Sequence, residues 1–278
     1  MSARRPRSKL RPRYLRVHAT LVFLFLFAPI VVLVVFSFNS GRSSAAWQGF
    51  STKWYSALAD NEQALDAFRL TLKVALVSTI VATVIGTLAA FALTRFQFRG
   101  RSGYSTLIFI TLVIPEVVLG IALLGFYRRV ADVQLGFRTL VFSHITFCIA
   151  FVVVVVKARL SAFDNRLVEA AADLGATPVQ SFTRVVLPLA MPGVVAGAML
   201  AFVISIDDVV ISGFTSGVGA TPLPVYIYGK VKQTVTPEIN ALSTLILATS
   251  LVLLAVAAVF SARAARKGAG AIDATTLA

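Results

Sequence analysis

Six uncharged, apolar stretches divide this chain, each long enough to cross a bilayer as a helix, and they restrict its fold more than any other feature. They run over residues 19–41, 74–94, 102–115 continued by 117–127, 139–156, 185–206 and 239–262. About 20 apolar residues in a helix span the hydrocarbon core of a membrane. Hydrophobic residues make up 58% of the chain and charged residues only 14%, against about a quarter charged in soluble domains. The expectation is an all-α, polytopic membrane protein with six transmembrane helices in one domain, 19–262. A basic segment, 1–18, precedes it, and a short tail rich in Ala, Gly and Thr, 263–278, follows.

The 26 Lys and Arg residues orient these helices. With the amino end inside, seven fall in 1–18, three at Arg95, Arg99 and Arg101, four at Lys157, Arg159, Arg166 and Arg184, and three at Arg263, Arg266 and Lys267, leaving nine for the other side. This asymmetry predicts both termini in the cytoplasm. The net charge of +14 is then mostly topology. No compact basic domain exists to bind nucleic acid, and the expected surroundings are membrane lipid. A cleaved secretory signal is not expected, because the first uncharged stretch exceeds the core of about 7 to 15 residues usual in such peptides. Cys148, the single cysteine, excludes an intramolecular disulfide and a cysteine-rich metal site.

Between the fourth and fifth stretches lies EAAADLGATPVQSFTRVVLP, residues 169–188, a polar segment built to form two short helices with a corner between them. Gly175 follows good helix formers and can take the left-handed conformation that ends a helix. Thr177 as cap, Pro178 at the first helical position and Gln180 at the third form a capping box that starts the next one. Pro188 and Pro192 are expected to interrupt that helix. Leu160, Phe163, Leu167, Ala170 or Ala171, and Leu174 recur every three or four residues, which predicts one apolar face needing a protein surface to cover it. The alternative is an ordinary surface loop that contains Glu-Ala-Ala.

Three acids interrupt the apolar stretches: Glu116 in VIPEVVLG, and Asp207 with Asp208 in SIDDVVISGF. A charge in a span costs roughly 2.5 to 3.5 kcal/mol on insertion scales. On straight helices Glu116 and Asp207 would each lie about 21 Å from the start of their spans, at one acidic level; a kink at Pro115 or Pro192 would shift either by a turn. No Lys or Arg occupies the centre of any span, so a cationic substrate could supply the missing charge. The competing reading pairs the acids with backbone amides, Ser212 or a partner subunit, or places them in water at the outer interface. Polyamine-like cations are well held between carboxylates and ring faces. Trp47, Trp54, Tyr55, Tyr226 and Tyr228 fall in the two longer outside loops, where an interfacial aromatic belt would also put them; only Trp47 is singled out for the substrate path.

With these features together, the chain resembles spermidine/putrescine ABC transporter permeases. The resemblance includes NSGRSSAAWQGFSTKWYSAL, RFQFRGR, QLGFRTLVFSHITFCIAFVVV, SIDDVV and TPLPVYIYGKVKQTVTPEINALSTLIL, besides the EAA segment. The EAA spacing specifies only an ABC permease; SHITFC, SIDDVV and PEINAL carry the polyamine resemblance. It implies a type I ABC importer permease fold in the bacterial inner membrane. It also implies a second related permease subunit, two cytoplasmic ATPase subunits and a periplasmic polyamine-binding protein as partners. Its EAA loop, 158–192, would dock in a groove of the ATPase through Glu169, Ala170, Ala171, Gly175 and Pro188. Val185 departs from the isoleucine that many members carry there.

The chain has no GxxxxGK[ST] phosphate loop, so no cofactor is expected on it, and ATP with its Mg belongs on the partner ATPase. An intramembrane enzyme is the rival from another class. Its chemistry would need HExxH, a facing pair of aspartates or a Ser with a base, whereas His18 and His144 are the only histidines and neither lies near HExxH. His144 is expected to be a polar group hydrogen-bonded within the helix bundle. A second rival keeps the architecture and changes the cargo to thiamine, ferric ion or another solute. The acids argue against sulfate or phosphate and do not separate putrescine from spermidine.

Overall fold

The computed structural model describes residues 12–252 except 163 and 165, together with 254, 255 and 259. The first eleven residues, Phe163, the end of the sixth apolar stretch and the tail with its three basic residues therefore lie outside the described part. The described residues are mainly helical, with no strand among them. The helices are α1 (Pro12–Phe36), α2 (Lys53–Ala59), α3 (Glu62–Arg95), α4 (Arg101–Val113), α5 (Glu116–Gly125), α6 (Phe137–Leu160), α7 (Arg166–Asp173), α8 (Pro178–Ser181), α9 (Leu187–Asp207), α10 (Val210–Thr215), α11 (Leu223–Val231) and α12 (Pro237–Val252).

Among the described residues four helices are long and apolar enough to cross a membrane: 14–36, 62–95, 137–160 and 178–207. The third apolar stretch is different. The C-cap Ile114 and Pro115 are both extended, so α4 and α5 meet at a bend of 110°. Proline has no N–H to continue the ladder and pushes the preceding residue out of the helical region. The kink allowed for at Pro115 is thus a bend of 110°, and the height of Glu116 measured along a straight helix is corrected accordingly.

A second correction concerns Pro188 and Pro192. They do not interrupt the helix, which runs unbroken from Pro178 to Asp207. A single widened, π-type turn at Phe182–Val186 immediately precedes Pro188, and such a turn re-spaces the ladder where a proline lacks its donor.

The described residues form two compact units, 12–61 with 230–247, and 62–229 with the described residues that follow 247. In the first, the loop after α1 closes around buried Asn39. Its Nδ2 donates to the carbonyls of Ser43 (3.1 Å) and Ala46 (2.8 Å), while Oδ1 accepts from Gln48 N at 2.8 Å. The PEINAL residues serve the same unit: Glu238 accepts from Asn61 Nδ2 at 3.0 Å, and Asn240 Nδ2 donates to Ser44 Oγ at 3.0 Å.

In the second unit α6 packs against both α3 and α9, and the sequence shows how the helices come so close. Ser78, Ala82, Gly86 and Ala90 recur every four residues on α3, and Gly193, Gly197, Ala201 and Ser205 on α9; all eight are buried. Within a membrane the approach of small-residue stripes, more than the hydrophobic effect, supports helix packing. Val152 of α6 sits between the two stripes: a Cβ on Gly86 would meet its Cγ1 at 2.7 Å, and one on Gly197 its Cα at 3.4 Å.

Candidate functional site

The two-helix corner forms as the local chemistry requires. Asp164 Oδ1 accepts from Arg166 N at 3.0 Å to start α7. At its end Gly175 has φ +80°, and the bonds from Gly175 N to Ala172 O (2.9 Å) and Ala176 N to Ala171 O (3.0 Å) make a Schellman closure. Thr177 Oγ1 then accepts from Gln180 N at 3.3 Å, and Gln180 Oε1 from Thr177 N at 2.9 Å, the reciprocal pair of a capping box. Glu169, Ala170, Gly175 and Pro188 are exposed and Ala171 is half-buried. Val168 and Phe182 anchor the corner to the core, the Phe182 ring 4.6 Å from that of Phe91. The apolar face divides differently from expectation. Leu160 ends α6 and is buried, whereas Leu174 is 89% and Val179 71% exposed; the uncovered apolar surface belongs to the corner itself.

The acids gather where helices break. Glu116 opens α5 at the Pro115 bend, where the positive end of the helix dipole favours a carboxylate. Asp207 closes α9, and the extended Asp208 (ψ 121°) separates α9 from α10. Since α5 packs on α10, with Phe214 filling the space a Cβ on Gly120 would need (2.5 Å), the two breaks lie in one region. Glu116 and Asp207 are both within electrostatic reach of the Asp208 carboxylate. Both are exposed, and neither has a hydrogen bond or ion pair among the described residues.

Asp208 has different surroundings. It is buried, and its carboxylate caps α10, Oδ1 accepting from Ile211 N at 3.1 Å and Oδ2 from Ser212 N at 2.6 Å. Beside it lies His144, as expected a hydrogen-bonded group inside the bundle, with Nδ1 2.7 Å from Ser205 Oγ and Nε2 2.9 Å from Ser212 Oγ. Ser78 and Ser205 escaped the sequence reading. The available signal was a serine in register with a stripe of small residues on each helix, Ser205 being the one hydroxyl of α9.

Trp47 belongs to the first unit, exposed, with its ring edge-on to Phe36 at 6.1 Å. Trp54 is used structurally, its Nε1 donating to Asn39 O at 2.8 Å. A cavity of about 960 Å³ opens beside the start of α6, lined in part by Phe126, Tyr127, Phe137 and Arg138. Neither Glu116 nor Asp207 lines it.

Residues 82–267 match the family described as the binding-protein-dependent transport system inner membrane component. The chain is 47% identical over 251 residues to the spermidine/putrescine transport system permease protein PotC of Shigella flexneri, covering 90% of this chain and 94% of that one. It is 43% identical over 231 residues to the putrescine transport system permease protein PotI of Escherichia coli strain K12, covering 81% and 82%. Among solved structures it is similar to a chain of a bacterial ABC transporter involved in the import of the acidic polysaccharide alginate. That match has a TM-score of 0.69 at 16% identity and covers 92% of this chain and 98% of the other.

Proposed function

The chain belongs to the binding-protein-dependent ABC transport inner membrane components, with spermidine/putrescine permeases as its relatives, and from that premise we propose that it is the permease subunit of an ATP-driven polyamine importer. It works with a second, homologous permease, two ATPase subunits and a periplasmic polyamine-binding protein in the bacterial inner membrane. Six transmembrane helices with both termini cytoplasmic put the 169–188 corner on the ATPase side.

The observation that carries this reading is the unbroken helix from Pro178 to Asp207. One of its ends leaves the exposed coupling corner and the other delivers Asp207 to the helix breaks. At about 1.5 Å per residue it transmits a displacement at the corner over about 45 Å. ATP-driven closure of the ATPases would rock it, exposing the acidic region alternately to either side as in alternating access. Glu169, Ala170, Ala171, Gly175 and Pro188 are the docking residues.

Cation selectivity follows from the electrostatics of the breaks. Carboxylates at Glu116 and Asp207 stand beside the carbonyl end of α9, which carries partial negative charge, and no basic side chain of the spans offsets them. Asp208, held by α10, contributes field and not a contact. The path that these acids line is completed by the second permease. Weak, multiple contacts allow a polyamine to leave as well as enter.

The test is to purify the chain with its second permease and ATPase subunits, add the binding protein, and measure which solutes stimulate ATP turnover. Putrescine or spermidine should do so, and thiamine or ferric ion should not. The opposite pattern would replace the cargo while keeping the architecture.

A further inference from the structure

Four buried polar residues of the second unit, Ser78, His144, Ser205 and Ser212, form one chain of hydrogen bonds whose directions can be assigned. Ser78 Oγ gives its single proton to the Val74 carbonyl at 2.7 Å, so towards Ser205 Oγ, 3.1 Å away, it accepts. The Ser205 proton is thereby used, and towards His144 Nδ1 at 2.7 Å Ser205 in turn accepts. Nδ1 must therefore carry the imidazole proton. Nε2 is left to accept from the Ser212 hydroxyl at 2.9 Å. Asp208 Oδ2 accepts from the Ser212 amide at 2.6 Å and lies 3.5 Å from Nε2, beyond the 2.9 Å of the Ser212 hydroxyl. Every hydroxyl and both ring nitrogens have a partner of the right kind.

The placement of this chain is as informative as its direction. Ser78 is on α3, His144 on α6, Ser205 on α9 and Ser212 on α10. Ser205 precedes and Ser212 follows the break at Asp208, so the imidazole spans that break with one nitrogen on each side. All four residues are buried. Where no water competes, such bonds hold direction and distance, and an unmatched partner is costly.

We propose that His144, as the Nδ1–H tautomer, is the positioning residue that fixes the break between α9 and α10 and so aims Asp207 into the substrate path. This rests on the polyamine-permease reading above. Without the clamp α10 can rotate about Asp208 and Val209, and a stroke arriving along α9 moves the break instead of the cargo.

Two measurements test it on the assembled complex. In proteoliposomes the ratio of putrescine taken up to ATP hydrolysed should fall about tenfold in His144→Ala, with complex yield unchanged. His144→Asn, whose amide can reach Ser205 alone, and His144→Gln, whose amide can reach Ser212 alone, each keep one side of the clamp and should recover only part of the ratio. Should His144→Ala fail to assemble, Ser205→Ala removes one hydroxyl and should show the same loss, restored by Ser205→Thr. A wild-type ratio in His144→Ala or Ser205→Ala, or full rescue by His144→Asn or by His144→Gln alone, overturns the proposal. Solid-state 15N spectra of the complex with histidine labelled in this chain alone form the second arm, since the chain holds only two histidines and His144→Asn identifies the signal. A protonated Nδ1 with a bare Nε2 is expected; a protonated Nε2 refutes the assignment. If the wild-type complex answers to no polyamine, the transport reading fails instead, and the spectra still decide the tautomer.

Discussion

At the scale of single residues, neighbouring acids differ in role because their backbones differ. Asp207 ends a helix with its side chain exposed, whereas Asp208, one residue later, turns inward and takes two amide protons. Asp207→Asn should therefore lower polyamine uptake about tenfold, equivalent to about 1.4 kcal/mol of barrier, while nucleotide binding by the ATPase is retained. Uptake kinetics equal to wild type would remove Asp207 from the path. The sequence reading favours Asp207 for the substrate path and leaves Asp208 open between that path and backbone amides, which is where the structure puts it. Composition shows that an acid lies in an apolar run, but which way it faces depends on where the helix stops, and that is decided by the partners waiting for Asp208. Glu116 is similar: Pro115 announced a kink, and only the packed structure turned it into a bend of 110°.

At the scale of elements, the closeness of α3, α6 and α9 depends on glycine where a side chain would collide. Gly86→Val would drive a branched side chain into Val152, whose Cγ1 lies 2.7 Å from the Cβ position. The expected cost is about 1 to 3 kcal/mol, seen as a lower midpoint in thermal unfolding of the detergent-solubilised protein. Gly103→Ala in α4 meets nothing within 4 Å and should leave that midpoint unchanged or raise it, since alanine favours a helix over glycine. The corner at Gly175 was fully legible beforehand, because a helix stop, a cap and a proline are local signals that need no distant partner. The continuity of α9 through Pro188 and Pro192 was not legible. The widened turn that absorbs the missing donor is held in place by Phe182 packing on Phe91, a contact between residues far apart in sequence.

At the scale of the whole molecule, the exposed corner and Asp207 occupy the two ends of one helix, and the proposed function requires that helix to be connected to a motor. Glu169→Lys should leave the complex assembled and abolish substrate-stimulated ATP hydrolysis; normal stimulation in that variant would refute docking through Glu169. Gln180→Cys should react with a membrane-impermeant thiol reagent only from the cytoplasmic side. Buried Cys148 contributes no background, and labelling from outside would overturn the topology. The sequence by itself determined that this chain is an all-helical membrane protein, where its apolar runs lie, and that a capped corner with the EAA spacing sits between two of them. Hydrophobic length and local hydrogen-bond chemistry act over a few residues and survive without tertiary context. Only the tertiary structure decided that the third run is broken, that the fifth is continuous with the corner, and that Ser78, His144, Ser205 and Ser212 meet at the Asp208 break. Those outcomes depend on shape and hydrogen-bond matching between helices distant in the chain, where one buried partner outweighs the preference of the local sequence.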